Sequence, residues 1–300
     1  MNLKKYGKTL LAMVMAITMV LALAACGDPE PAPSEDESSK TSSSSKSSSS
    51  STSSSSSSSD SSQSGSDSKP QMTPAEIQKH MLNGMVAHYA KNEDTVGWIY
   101  VPNTTIDEVV VQAIGDSSND YYMRRDNLKN QNFDGCYFMD FRAYIGSRDK
   151  LSKNTVIYGH SMDDNPEGKL FSQLKKYLDL DFAKANPYIY FSTPESEMVW
   201  QIFAVFYTEV GFNYIEPNPS NTDFLNIITD ARKRSQFNFD VDVTANDKIL
   251  TLSTCTYHIV PTYPNDYRYV VMAKLLPKGT EPTGDAVKVE VNPSIKAPAK

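Results

Sequence analysis

Cysteine is scarce in this sequence: Cys26, Cys136 and Cys255 are the only three in 300 residues. An odd count at such wide spacing excludes a disulfide framework and leaves each cysteine needing its own explanation. Basic charge is not in excess either. The formal net charge is −7, and no stripe of lysine and arginine runs through the chain, which excludes nucleic acid as a partner. Histidine is limited to four residues. No cluster has metal-ligand spacing, and the Asp/Glu spacing offers no calcium loop. The main apolar run, Leu10 to Leu23, holds about fourteen residues, short of the roughly 20 that a spanning helix needs.

That run follows Lys4, Lys5 and Lys8 and ends in Leu23-Ala24-Ala25-Cys26. A positive start, a short apolar core and small residues at the break read as a signal peptide over residues 1–25. The ending resembles a bacterial lipobox. The resemblance implies cleavage before Cys26 and lipidation of its thiol. The domain would then sit on the extracellular face of the membrane, held by its N-terminal lipid. Two acyl chains supply the stable anchoring that one cannot. The competing reading is an uncut signal anchor with an incidental cysteine.

Residues 26–72 follow as lipidated cysteine and serine-rich tether. Pro31 to Lys69 has almost nothing apolar to bury, so disorder is expected there. A tether of about 40 residues has a root-mean-square reach of roughly 35 Å, enough to lift a folded domain into a cell wall.

Residues 73–282 form the folded domain, and 283–300, rich in proline and lysine, read as a loose C-terminal tail. Thr73-Pro74-Ala75-Glu76 opens a helix, with Thr73 as cap, Pro74 at the first position and Glu76 closing a capping box. Ile77, Met81, Met85 and Tyr89 continue it at helical spacing, a stripe for core contact. His80 and His88 on this helix read as solvated. Strand patterns follow at 96–101, 109–111, 135–141, 154–158, 199–210, 248–253 and 269–275. Helices are expected near Leu170–Leu178 and Thr222–Gln236, the second with Phe224, Ile227, Ile228 and Ala231 on one face. Many short strands with few crossover helices predict a mostly antiparallel barrel or sandwich with helical insertions.

Three chemically useful residues stand at strand ends. Cys255 follows Thr251-Leu252-Ser253-Thr254, His160 follows Tyr158-Gly159, and Arg268 opens the last strand. A thiol needs a base or a cation nearby to be a good nucleophile at neutral pH. An imidazole supplies the first. A guanidinium stays charged and can hold a developing oxyanion. Taken singly, a strand cysteine is a small core residue, a histidine after a strand a surface group and an arginine an edge charge. The ordered set argues for chemistry. Cys136, inside Gly135-Cys136-Tyr137-Phe138, reads as structural. His258 is a rival base in an irregular loop.

On these motifs the chain is identified as resembling the sortases, class B. The residues carrying the resemblance are Thr251 to Cys255 before the arginine-led strand Arg268-Tyr269-Val270-Val271, and Tyr158-Gly159-His160 with Met162 and Phe171. Val96 to Gln112 and Gly135 to Arg142 also match, as does the helix-bearing stretch of about 37 residues between Val210 and Lys248. Thr256 departs from the acidic residue found after the cysteine in some class B enzymes.

The resemblance implies a mostly β fold: an eight-stranded sortase-type barrel with an N-terminal helix and a helix-bearing insertion before the catalytic-cysteine strand. It implies Cys255 as nucleophile, His160 as acid/base, and Arg268 as clamp or oxyanion stabiliser. Asn119, Met123, Ser253 and Thr254 would contact substrate. Partners would be secreted proteins bearing a sorting motif and an amine acceptor such as a peptidoglycan cross-bridge, with no cofactor and no metal. Two other Cys-His wall enzymes fit less well. An L,D-transpeptidase would place glycine just before its cysteine, and an NlpC-type peptidase would place its cysteine before its histidine. A surface lipoprotein with a degenerate site would not need the intact trio.

Overall fold

The computed structural model describes residues 72–299, apart from 114, 116, 262–265 and 283–286. The signal peptide, Cys26 and nearly all of the serine-rich tether lie outside the described residues.

Helix α1 (Pro74–Tyr89) begins as its first residues dictate. The Thr73 hydroxyl accepts from the Glu76 amide at 3.3 Å, and the Glu76 carboxylate accepts from the Thr73 amide at 2.8 Å. Both ends of the capping box therefore satisfy amides that the first turn leaves without helical partners. Ile77, Met81 and Met85 are buried against Tyr190 and Trp98. Tyr89 is exposed, and the stripe ends before it. His88 is half-buried, its Nδ1 2.7 Å from the Thr95 hydroxyl, which corrects the solvated reading of that residue. His80 reaches Asp107 at 2.9 Å.

Eight strands close a barrel: β1 (Thr95–Tyr100), β2 (Asp107–Val111), β3 (Tyr137–Met139), β4 (Asn154–Tyr158), β5 (Tyr188–Ser192), β6 (Val199–Glu209), β8 (Ile249–Cys255) and β9 (Tyr267–Leu275). Their order around the barrel is β1-β2-β3-β4-β8-β9-β6-β5, and β5 pairs back to β1. Most pairings are antiparallel, as the short connections require. β2 with β3 and β4 with β8 are parallel.

The strand expected over 135–141 shrinks to Tyr137–Met139, and β5 is a strand that alternation did not reveal. Leu170–Leu178 winds as a 3-10 helix, followed by a short helix α2 (Leu180–Ala185) capped by the Asp179 carboxylate.

Between β6 and β8 the chain leaves the barrel. Residues 210–220 form a loop, α3 (Asn221–Arg234) follows, and β7 (Phe237–Phe239) lies outside the barrel. Phe224, Ile227, Ile228 and Ala231 of α3 are all buried, the face its periodicity predicts. The insertion covers one face of β4, β6 and β8. Asn154 donates to the carbonyls of Tyr214 and Glu216 at 2.8 and 3.1 Å, and Phe206 meets the rings of Phe212 and Tyr214.

The C-terminal tail is not loose over residues 287–299. β10 (Val289–Val291) pairs with β7, and Val287 and Val289 are buried. Beyond it the Asn292 amide donates to Gln236 O at 3.1 Å and the Lys296 amide to Lys233 O at 2.8 Å. The Ala299 amide reaches Glu209 at 3.1 Å, and Tyr267 donates to Ala299 O at 3.2 Å. Proline and lysine mask a short alternating stretch, Val287-Lys288-Val289, that buries every second side chain.

Candidate active site

Topology alone brings the three residues to one end of the barrel. β4 and β8 run parallel, with Tyr158 opposite Ser253 as the last pair. Two residues further along each chain come His160 and Cys255. On the other side of β8, Cys255 stands opposite Arg268 of β9. Cys255 ends its strand half-buried after six buried residues. Its backbone is paired to β9 at Arg268, while the β4 ladder stops two residues earlier at Ser253.

His160 is fixed at three points. Its carbonyl accepts from the Phe171 amide at 3.0 Å, at the start of the 3-10 helix. Its Nε2 lies 2.7 Å from the carbonyl of Met123. A carbonyl can only accept, so Nε2 carries a hydrogen, and the neutral ring has its lone pair on Nδ1. The ring also lies over Gly135, whose φ is +66°; a Cβ there would come within 2.9 Å of the ring. Burial pulls the His160 pKa below its ordinary 6.5, and the Arg124 charge pulls the same way. The Met123 carbonyl and Asp134 push back without prevailing. The resting ring is therefore neutral at neutral pH.

The strand end beneath His160 is tied to a buried carboxylate. Asp140 accepts from Tyr158 Oη at 2.9 Å, from Arg142 Nε and Nη2 at 2.9 Å each, and from Asn119 Nδ2 at 3.1 Å. Burial alone would raise the Asp140 pKa, yet the bonds from Arg142 and Tyr158 hold it below the usual range. Arg142 continues to Ile215 O at 3.0 Å and so links the strand to the insertion.

The residues expected to contact substrate fall in different places. Met123 is exposed beside His160. Asn119 is half-buried with both ends of its carboxamide engaged, by Asp140 and by the Phe141 amide at 2.9 Å. Ser253 is buried under the insertion, its hydroxyl 2.8 Å from Tyr214 Oη. Thr254 is also buried, and strand alternation turns it to the face opposite Cys255 and Ser253.

The other candidates sit in different surroundings. Cys136 is buried, and burial pushes its thiol pKa well up, which makes it inert. The His258 ring stacks on Tyr207 with centroids 5.1 Å apart. Among the described residues no group of His, Cys, Asp and Glu could hold a metal ion.

Sequence reasoning missed several residues here. Tyr214 carries no signal, because a lone tyrosine in a loop reads as surface. Asp140 and Arg142 sit inside a stretch already matched to the family, and an acid and a base two apart on a strand end could have been paired. Lys175 has no sequence pattern to mark it, yet its side chain is 0% exposed and its ammonium lies 3.2 Å from Cys255 O.

The chain is similar to known proteins of one family. A sortase-domain family model matches residues 99–276. Sortase B of Listeria monocytogenes is 37% identical over 192 residues, covering 62% of this chain and 72% of that protein. Sortase B of Staphylococcus aureus is 32% identical over 209 residues, covering 69% and 81%. Among solved structures, a Staphylococcus aureus sortase B–substrate complex superposes with a TM-score of 0.58 at 29% identity, over 68% of this chain and 90% of that one. Clostridium perfringens sortase B gives 0.55 at 30% identity, over 64% and 99%. The chain belongs to the sortase family of cysteine transpeptidases, and within it to class B.

Proposed function

We propose that Cys255, His160 and Arg268 carry the transpeptidase chemistry on a C-terminal sorting signal of secreted proteins. The observation that carries this reading is the placement of Cys255 between Arg268 on one neighbouring strand and the chain leading to His160 on the other.

The Cys255 thiol gives its proton to His160 Nδ1. The thiolate attacks the carbonyl carbon of the sorting-signal threonine, and a C–S bond forms. Arg268 and nearby backbone amides hold the oxygen that becomes negative. The C–N bond then breaks, and the His160 imidazolium returns its proton to the leaving amine. A thioester to Cys255 remains. An acceptor amine, supplied by a peptidoglycan cross-bridge, attacks the thioester carbon and gives a proton to His160. The C–S bond breaks, an amide is formed, and the thiol is restored. Met123 lies beside His160, Asn119 braces the Asp140 carboxylate that holds Tyr158, and Ser253 and Thr254 support the strand beneath Cys255.

The test is cleavage of a peptide library by the protein and by Cys255→Ala. The expected result is turnover of one sorting-motif class by the first and none by the second. Turnover by Cys255→Ala rules the scheme out.

We further place the enzyme on the extracellular face of the bacterial membrane, anchored by lipid on Cys26 and reaching into the wall through the serine-rich tether. The lipobox-like Leu23-Ala24-Ala25-Cys26 supports this reading. Globomycin should leave a larger, unprocessed precursor, and unchanged migration would refute it.

A further inference from the structure

One buried ion pair ties together the two segments that leave the reacting residues. Lys175 lies on the 3-10 helix Leu170–Leu178, the same helix whose Phe171 amide holds the His160 carbonyl. Its Nζ donates to Ser161 Oγ, to Asp163 O at 3.2 Å and to Cys255 O at 3.2 Å, and pairs with Asp164 Oδ1 at 3.0 Å. Asp164 in turn accepts from Thr256 Oγ1 at 3.0 Å and from the Tyr257 amide at 2.7 Å. Every one of these acceptors and donors lies within four residues after His160 or within two residues of Cys255.

An ammonium with no exposed side-chain surface is costly to bury, by several kcal/mol before its partners compensate. Burial pulls the Lys175 pKa down, and the Asp164 bond and charge push back without prevailing. A core position with no further role is better served by an apolar side chain of similar volume. Here the charge is matched instead to main-chain atoms flanking the reacting residues. The pair fixes the peptide plane after Cys255 and the path of residues 161–164 after His160 in one frame.

We propose that Lys175 and Asp164 are positioning residues that set the thiol of Cys255 relative to the imidazole of His160. Neither touches the reacting atoms. The proposal rests on Cys255 being the nucleophile, so its test needs a readout that does not depend on a known substrate.

The experiment follows alkylation of the full chain by iodoacetamide, with label at Cys255 read by peptide mass spectrometry. Rates are taken over the pH range in which histidine and cysteine titrate. The variants are Lys175→Met, Asp164→Asn and Thr256→Val, with Met81→Ala in α1 as a destabilised control far from both segments. Lys175→Met and Asp164→Asn are expected to slow Cys255 alkylation about tenfold or more and to shift its pH profile. Thr256→Val should do so less, and Met81→Ala should leave rate and profile as in the unaltered chain. If Lys175→Met fails to fold, Asp164→Asn and Thr256→Val still decide the matter, because both alter partly solvated or uncharged partners. Unaltered rates and profiles in those two variants overturn the proposal, as does an equal effect of Met81→Ala. If Cys255 of the unaltered chain reacts no faster than a cysteine of the unfolded chain, the nucleophile reading itself falls, and this proposal with it.

Discussion

Cys255 and Arg268 face each other across β8 and β9, paired Cα to Cα at the open end of the ladder. Directly opposed residues on one face of an antiparallel pair hold their Cβ atoms about 5 Å apart. Arg268 is put by this pairing on the same face as the sulfur, and its Nη1 donates to the Tyr267 carbonyl at 2.9 Å, so the fork sits at the rim where a substrate carbonyl would approach. Its planar fork, and not its charge alone, is what suits an oxyanion. Arg268→Lys should therefore lower kcat on the order of 10²-fold, with little change in KM. Steady-state kinetics on a cleaved sorting peptide check this. A lysine variant that keeps full kcat would reduce the guanidinium to a bystander.

Gly135 is the floor on which the His160 ring rests. Its φ is +66°, and an added Cβ would come within 2.9 Å of both His160 Cδ2 and Met123 O. Gly279 has a similar φ of +80° with nothing near its missing Cβ. Alanine at either position carries a backbone penalty of about 1 kcal/mol. Only Gly135→Ala also pushes the imidazole out of place. Gly135→Ala should cost tenfold or more in kcat, on the scale of about 10² for a 1 Å displacement. Gly279→Ala should lower Tm slightly and leave kcat alone. Equal kinetic effects from the two would refute the role given to Gly135.

Neutral His160 has a measurable consequence. Burial depresses its folded pKa below 6.5, so the unfolded chain takes up that proton first as the solution is acidified. Stability from this group is fully present above pH 6.5 and is lost as pH falls through 6.5 toward the lower folded value. His88, also depressed by burial, acts in the same direction. NMR titration of the His160 ring should give a pKa under 6.5. Asp134→Asn should lower it further and Arg124→Ala should raise it, following the signs of the two charges. A value above 6.5, or opposite shifts, would contradict this reading.

The parts of the site that periodicity and turn chemistry govern were legible in the chain. The α3 face of Phe224, Ile227, Ile228 and Ala231 follows the 3.6-residue repeat, and the Thr73–Glu76 box is local by nature. Cys255, His160 and Arg268 stood out because each ends or starts an apolar strand. β5 stayed hidden because Tyr188-Ile189-Tyr190-Phe191-Ser192 is buried on both faces, so it does not alternate. The bonds around Lys175 and Tyr214 stayed hidden for another reason. They join residues 80 and 39 positions apart, to Cys255 and Ser253 respectively, and no local pattern encodes which long-range partner a buried polar group will find.

The C-terminal segment offers the last test, because its composition and its structure disagree. Residues 287–299 bury Val287 and Val289, add β10 to β7, and end at Glu209 and Tyr267, immediately before Arg268. Burying one valine fully is worth about 1.5–3 kcal/mol, and each net hydrogen bond about 1 kcal/mol. Part of that is offset by the entropy of ordering the strap. A stop codon at Val287 should therefore lower stability by several kcal/mol in denaturant melts, with a smaller C-terminal cut after Asn292 costing less. If the segment were loose, both truncations would melt with the full chain. The shorter cut also removes the Ala299 contacts to Glu209 and Tyr267 while keeping β10. Any kinetic change it causes can then be assigned to the β6–β9 end beside Arg268, since the small sheet is intact.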